Sequence, residues 1–137
     1  MADISILPQL NSLRTVATPE LQLLSPAALA YLGDGVYELY VRSAYLLPQR
    51  SQAYHRKVVA QVRAESQALQ LEKILPLLTT KELDIVRRGR NAVKKCPKRL
   101  SAEIYQQATS LETLIGYLYL QDMDRLMDLL SKFDFES

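Results

Sequence analysis

Apolar residues recur along most of this chain at intervals of three and four, the spacing that keeps them on one side of an α-helix, and no stretch alternates apolar and polar residues as a half-buried strand does. The pattern predicts an all-α bundle of four or five amphipathic helices without internal repeats. Residues 1–19 read as an N-terminal extension and residues 20–137 as one domain, with Thr18-Pro19 opening a short helix through Leu24. Ser25 suits an N-cap and Pro26 the first helical position, and Leu29, Leu32, Val36 and Leu39 follow in a helix to about Leu46. Pro48 and the polar Gln49-Arg50-Ser51 interrupt the chain. A second helix then carries Tyr54, Val58, Val62 and Leu69 along one side and ends near Pro76. Thr79 and Glu82 stand at capping-box spacing and open a short helix through Leu83 and Val86 that Gly89 ends, leaving a loop. Ser101 restarts the period with Ile104, Ala108, Leu111, Ile115 and Leu118, a core helix, and Met123, Leu126, Met127, Leu130 and Phe133 close the domain.

The composition fits a folded globular protein: 48% hydrophobic and 23% charged, in 137 residues. That length predicts one domain and leaves no room for a second, separate nucleic-acid-binding module. The apolar runs are too short to span a membrane, and the first ten residues lack a basic n-region and a small-residue cleavage site, so a soluble, cytoplasmic protein without membrane partners is expected. Cys96 is the only cysteine and His55 the only histidine, which excludes an internal disulfide and a His/Cys zinc site.

The formal charge of +2 conceals a sharp division. Residues 87–99 hold seven Lys and Arg (Arg87, Arg88, Arg90, Lys94, Lys95, Lys98, Arg99) with Asn91 among them and no acid, so the segment is +7 against −5 for the remainder. Concentrated positive potential suits a polyanion contact, and the run lacks the interspersed acids that i,i+4 pairing needs. A solvated basic loop is the alternative.

Two acidic positions stand out. Gly33-Asp34-Gly35 lies inside a helical pattern, where each Gly disfavours the helix by roughly 0.8–1.0 kcal/mol relative to Ala. Either the glycines let a helix, a metal shell or a phosphate approach Asp34, or they bend the helix and leave Asp34 exposed. Glu38, one turn on, is either a metal ligand or a supporting partner behind the ligands of an Asp34 site, or the ion-pair partner of Arg42. Glu112 falls between core positions Leu111 and Ile115; it is either partly buried, needing a cation, a hydrogen-bond network or a raised pKa, or a boundary residue reaching solvent.

The run Ala30-Tyr31-Leu32-Gly33-Asp34-Gly35-Val36 resembles the ribonuclease III signature, an aromatic-Leu-Gly-Asp motif that carries a catalytic Asp, and Leu111-Glu112-Thr113-Leu114-Ile115-Gly116 resembles the second signature of that family. Order and separation suit a ribonuclease III catalytic domain, and the resemblance spans about residues 20–131. Arg88-Gly89-Arg90-Asn91-Ala92 and the run from Asp34 to Arg42 resemble the stand-alone Mini-ribonuclease III enzymes in particular. The chain departs from the family's general pattern at Ala30 and Thr109, where larger members have carboxylates. Mg²⁺ tolerates so sparse a set, since it keeps several waters and takes one or two protein carboxylates beside phosphate oxygens.

The resemblance implies a ribonuclease III-type helical bundle that pairs as a two-fold homodimer. It implies hydrolysis of double-stranded RNA to 5′-phosphate and 3′-hydroxyl ends, with Asp34 and Glu112 as catalytic residues and as ligands of Mg²⁺, Mn²⁺ substituting. Precursor large-subunit (23S) ribosomal RNA is the implied substrate and a large-subunit ribosomal protein a further partner. Duplex contact then falls to Arg87, Arg88, Arg90, Asn91, Lys94, Lys95, Lys98 and Arg99 through phosphates and 2′-hydroxyls. The rival is a non-catalytic RNA-binding or ribosome-assembly module on the same fold.

Overall fold

A computed structural model describes residues 23–46 and 51–135. Its elements are α1 (Pro26–Ala44), α2 (Ser51–Val62), α3 (Ala64–Ile74), a 3₁₀ turn (Leu75–Leu77), α4 (Thr80–Ala92), α5 (Ala102–Gln121) and α6 (Met123–Leu130), with no strand among the described residues. The short helix expected from Pro19 and the domain boundary beside it lie outside the described residues. No described helix is long and apolar enough to cross a membrane.

The local start signals act where the sequence places them. Ser25 Oγ accepts the Ala28 N–H at 3.1 Å, and Ser101 Oγ accepts that of Ile104 at 3.1 Å. Thr79 and Glu82 form both halves of a capping box, at 3.1 and 2.9 Å. Each cap satisfies N–H groups that have no partner inside the helix, a contribution of about 1 kcal/mol.

Helix α5 is the axis of the bundle, packed against α1, α3, α4 and α6. Leu111, Leu114, Ile115 and Leu118 are buried along it, and its buried hydroxyls bond back within the helix, Ser110 to the Gln106 carbonyl at 2.7 Å and Thr113 to that of Thr109 at 2.8 Å. Glycines decide how closely its neighbours approach. A Cβ on Gly33 of α1 would fall on the Glu112 carbonyl, and one on Gly116 of α5 would fall on the Leu29 carbonyl, so the two backbones touch with no side chain between them. Gly89 seats α4 likewise, since its Cβ would lie 2.8 Å from that of Thr113. Gly35 faces open space.

Three expectations change. First, Gly89 does not end α4; it is a buried contact point and the helix runs three residues further, so the basic segment is helical through Ala92 and open only beyond it. Second, the stripe on α1 passes through Leu29, Gly33, Tyr37 and Val41, while Leu39 is 66% exposed. A glycine in the stripe reads as a blank, which shifted the apparent face. Third, the single helix expected up to Pro76 is two, broken at the extended Arg63. Side chains take the carbonyls that would continue it: Ser66 Oγ donates to Ala60 O at 2.5 Å, Tyr37 Oη to Gln61 O at 2.9 Å and Gln67 Nε2 to Val62 O at 2.8 Å. The break rephases the buried face to Gln67, Leu71 and Ile74 and leaves Leu69 63% exposed.

Two long-range fastenings close the bundle. Arg125 on α6 makes a forked contact with the buried Glu82, at 2.8 and 2.9 Å, and also donates to the Leu77 carbonyl at 2.8 Å. These bonds hold the Glu82 carboxyl below the usual carboxylate range. After α6, the Gln70 amide clasps the Asp134 backbone from both sides, at 2.7 and 3.1 Å, and Phe133 and Phe135 pack edge-on and tilted against Tyr37, Tyr40 and Tyr45.

The two neighbouring glycines of α1 should respond oppositely to one methyl group. Gly33→Ala is expected to lose about 2–3 kcal/mol or more, because backbone must move to admit the Cβ. Gly35→Ala should gain up to about 1 kcal/mol from helix propensity alone. Urea denaturation of the two variants measures both, and equal effects would contradict the crossing described.

Candidate active site

The glycine-to-backbone crossing brings together the acidic residues beside it. Gly33 rests on the Glu112 carbonyl, Asp34 follows Gly33 in α1, and the Asp34 carboxyl lies close enough to Glu112 to act on its ionisation. Both line a cleft of about 380 Å³. Asp34 is exposed at its mouth and Glu112 is half-buried, so of the readings open in the sequence, close approach holds at Gly33 and partial burial at Glu112.

Burial pushes the Glu112 carboxyl up to about 8, and the hydrogen bond and charge of Asp34 act the same way. A hydrogen bond from Gln67 works in the opposite direction. Two carboxylates this close resist double ionisation, so near neutral pH the pair holds a proton unless a cation replaces it.

Ala30 and Thr109 line the same cleft as Asp34 and Glu112, and Lys94 and Lys95 join the lining from the chain leaving α4. Among the described residues no cluster of three or more His, Cys, Asp or Glu exists. The oxygen-only pair nevertheless fits a hard divalent ion that retains most of its water.

Other sequence candidates lie elsewhere. Glu38 is ion-paired with Arg42 at 2.6 Å and lines a separate depression with Tyr54 and His55 instead of the cleft. Arg87 is paired with Asp84 on α4. Arg88, Arg90, Asn91, Lys98 and Arg99 are exposed and do not line the cleft. Two residues escaped the sequence reading. Tyr105 lines the cleft, and its spacing to Thr109 and Glu112, four and seven residues, was a legible sign that all three share a face of α5. Gln67, which acts on Glu112 in favour of its ionised form, lies buried beside the α2–α3 break, which no local pattern announces.

The bundle carries an Asp and a Glu side by side where two glycine-spaced helices cross, and residues 27–123 match the family model of the ribonuclease III domain. A protein named Mini-ribonuclease 3 from Synechocystis sp. is 56% identical over 122 residues, covering 88% of this chain and 85% of the relative. Another of that name from Synechococcus sp. is 61% identical, with 80% of each chain covered. A crystal structure of a Fusobacterium nucleatum protein superposes with a TM-score of 0.71 at 30% identity, covering 80% of this chain and 94% of that one. The chain belongs to the ribonuclease III family, in the branch of the Mini-ribonuclease 3 proteins, and is an endoribonuclease of that family.

The raised carboxyl has a consequence for stability. Because Glu112 binds its proton more tightly folded than unfolded, this contribution is complete below the unfolded pKa of 4.5 and is lost as pH rises through about 8. Metal-free protein is therefore expected to melt at lower temperature as pH is raised across that window. Glu112→Gln, which fixes the neutral form, should flatten the trend, and an unchanged slope in that variant would place the titration elsewhere.

Proposed function

We propose that the cleft between α1, α4 and α5 hydrolyses double-stranded RNA, with Asp34 and Glu112 holding Mg²⁺ or Mn²⁺ directly or through water. The juxtaposed carboxylates, Asp34 exposed and Glu112 half-buried, in a cleft that also carries Lys94 and Lys95 are the observation that carries this reading. When bound, the ion supplies Lewis-acid activation of water and stabilises charge developing on the phosphate and the leaving oxygen. The chain's own residues do the rest. Glu112 surrenders its proton as the ion is admitted, so metal affinity should rise with pH. Lys94 and Lys95 offer ammonium groups to backbone phosphates entering the cleft, and Arg88, Arg90, Asn91, Lys98 and Arg99 extend that positive surface outward. The products are a 5′-phosphate and a 3′-hydroxyl.

The same reading has the protein working in the cytoplasm as a two-fold homodimer, one cleft for each strand, on large-subunit (23S) ribosomal RNA precursors, with a large-subunit ribosomal protein as a further partner. Tyr31, 86% exposed on α1 at the edge of the cleft, supports association, since so large an exposed side chain suits an interface.

Asp34→Asn and Glu112→Gln are each expected to abolish Mg²⁺-dependent cleavage of duplex RNA, as EDTA does for the native protein, with helix content and sedimentation as a dimer unchanged. Turnover close to native in either variant removes that carboxylate from the site.

Replacing Arg88, Arg90 and Lys94 by Ala in the Asp34→Asn background should weaken binding to unrelated duplex sequences about equally. It should also reduce the slope of log affinity against log salt by somewhat less than about one unit per lost phosphate contact. A salt titration by fluorescence anisotropy reads both quantities, and identical slopes would leave the basic segment a solvated surface.

A further inference from the structure

The chemistry proposed for the cleft leaves Tyr105 without a task. Asp34 and Glu112 suit a cation and Lys94 and Lys95 suit phosphate, whereas Tyr105 brings a neutral hydroxyl to the same space. Elsewhere in the bundle Tyr37, Tyr40 and Tyr54 donate their hydroxyls to main-chain carbonyls, at 2.9, 3.4 and 2.8 Å. Among the described residues the Tyr105 hydroxyl has no such partner.

Its placement suits a ligand. Tyr105 stands two turns before Glu112 on the same face of α5, about 10 Å along the helix, toward the end that the basic segment leads into. The ring is half-buried, so its surroundings hold it while the hydroxyl stays unspent. The cleft's other hydroxyls are less well placed: Tyr31 is 86% exposed, and Thr109 has a short side chain one turn from Glu112. A group held in place before binding loses little freedom on making its contact.

A strand with its reacting phosphate at the carboxylates offers that wall phosphate oxygens, base edges and ribose hydroxyls. Phosphate oxygens only accept, and the ammonium groups of Lys94 and Lys95 outcompete a neutral phenol for them, since charge-assisted hydrogen bonds are roughly twice as strong. Base edges are read by paired donors and acceptors, which a lone phenol does not provide. The 2′-hydroxyl both donates and accepts, as a phenol does, and it is displayed along the wide minor groove of duplex RNA.

We infer that Tyr105 is a recognition residue that hydrogen-bonds a ribose 2′-hydroxyl on a nucleotide flanking the bond to be cut, and so contributes to the choice of RNA over DNA. The inference rests on the cleft being the site of cleavage, with Asp34 and Glu112 as its carboxylates.

The test uses Tyr105→Phe, which removes the hydroxyl and keeps the ring. Native protein and variant are compared on a short duplex RNA cut at one position, and on a series of that duplex in which single nucleotides around the position, on each strand, are 2′-deoxy. On the all-RNA duplex Tyr105→Phe should lower kcat/KM by about 3–10-fold, the contribution of one neutral hydrogen bond. Native protein should lose about as much on the duplex that is deoxy at the contacted nucleotide, and Tyr105→Phe should lose nothing further there. Every other deoxy substitution should affect the two proteins equally. Tm and Mn²⁺ affinity without RNA should be native in the variant, because the hydroxyl has no partner in the protein and lies two turns from Glu112.

Native kcat/KM in Tyr105→Phe would overturn the contact. So would a loss that adds in full to that of every deoxy substitution, which would put the hydroxyl on a phosphate or a base. A lowered Tm with unchanged discrimination among the duplexes would overturn it too, by making Tyr105 a packing residue. Asp34→Asn separates this inference from the reading beneath it. If that variant cuts the duplex at the native rate, the cleft is not the site of cleavage and the inference falls with it. An inactive Asp34→Asn beside a native Tyr105→Phe overturns the recognition role alone.

Discussion

Everything in this domain depends on the contact between α1 and α5 at Gly33 and Gly116, where backbone meets backbone. Helices bearing ordinary side chains pack with their axes about 8–10 Å apart. Removing the side chain from both sides of one crossing lets the chains approach to van der Waals contact of main-chain atoms. The acidic residues next to that contact are then forced into each other's company. A pair of like charges is unfavourable in isolation, and it survives here because the packed core of Tyr37, Leu111 and Ile115 holds the two helices together regardless. Stability is produced in one part of the molecule and spent at the cleft.

The electrostatics of the cleft follow from the same geometry. Burial and proximity both favour a retained proton on Glu112, and lysines at the rim supply positive charge from the other wall. Ala30 and Thr109 keep this balance from becoming more acidic. The cleft therefore combines a small, concentrated site for a cation with flanking attraction for a polyanion, two requirements that a uniformly acidic or uniformly basic groove would not meet together.

What the sequence made legible was local. Ser25, Thr79 and Ser101 mark helix starts because a cap is made by residues within one turn, and the stripe on α5 is legible because all its members face the core of one uninterrupted helix. The signatures around Asp34 and Glu112 could be read as well, since each is a short run. Legibility failed wherever a residue acted through a distant partner. Gly89 looks like a terminator until Thr113 is seen against it, and the break at Arg63 contains neither Gly nor Pro because its cause is Tyr37, Ser66 and Gln67 reaching its carbonyls. Leu39 and Leu69 were placed inside for related reasons: a glycine interrupts the first stripe and a rephased helix the second.

The aromatic clasp after α6 bears on how such a chain can be made. Tyr40 Oη donates to the carbonyl of Leu130 at 3.4 Å, ninety residues on, and Phe133 and Phe135 complete the packing around Tyr37 and Tyr45. During synthesis α1 emerges early, with its most heavily buried tyrosine lacking the partners that cover it. At roughly 5–20 residues per second, several seconds separate α1 from the segment that closes over it. Over that interval the apolar face of α1 is open to solvent and to other nascent chains, so the domain is bound to finish folding late, after α6 and the clasp have left the ribosome.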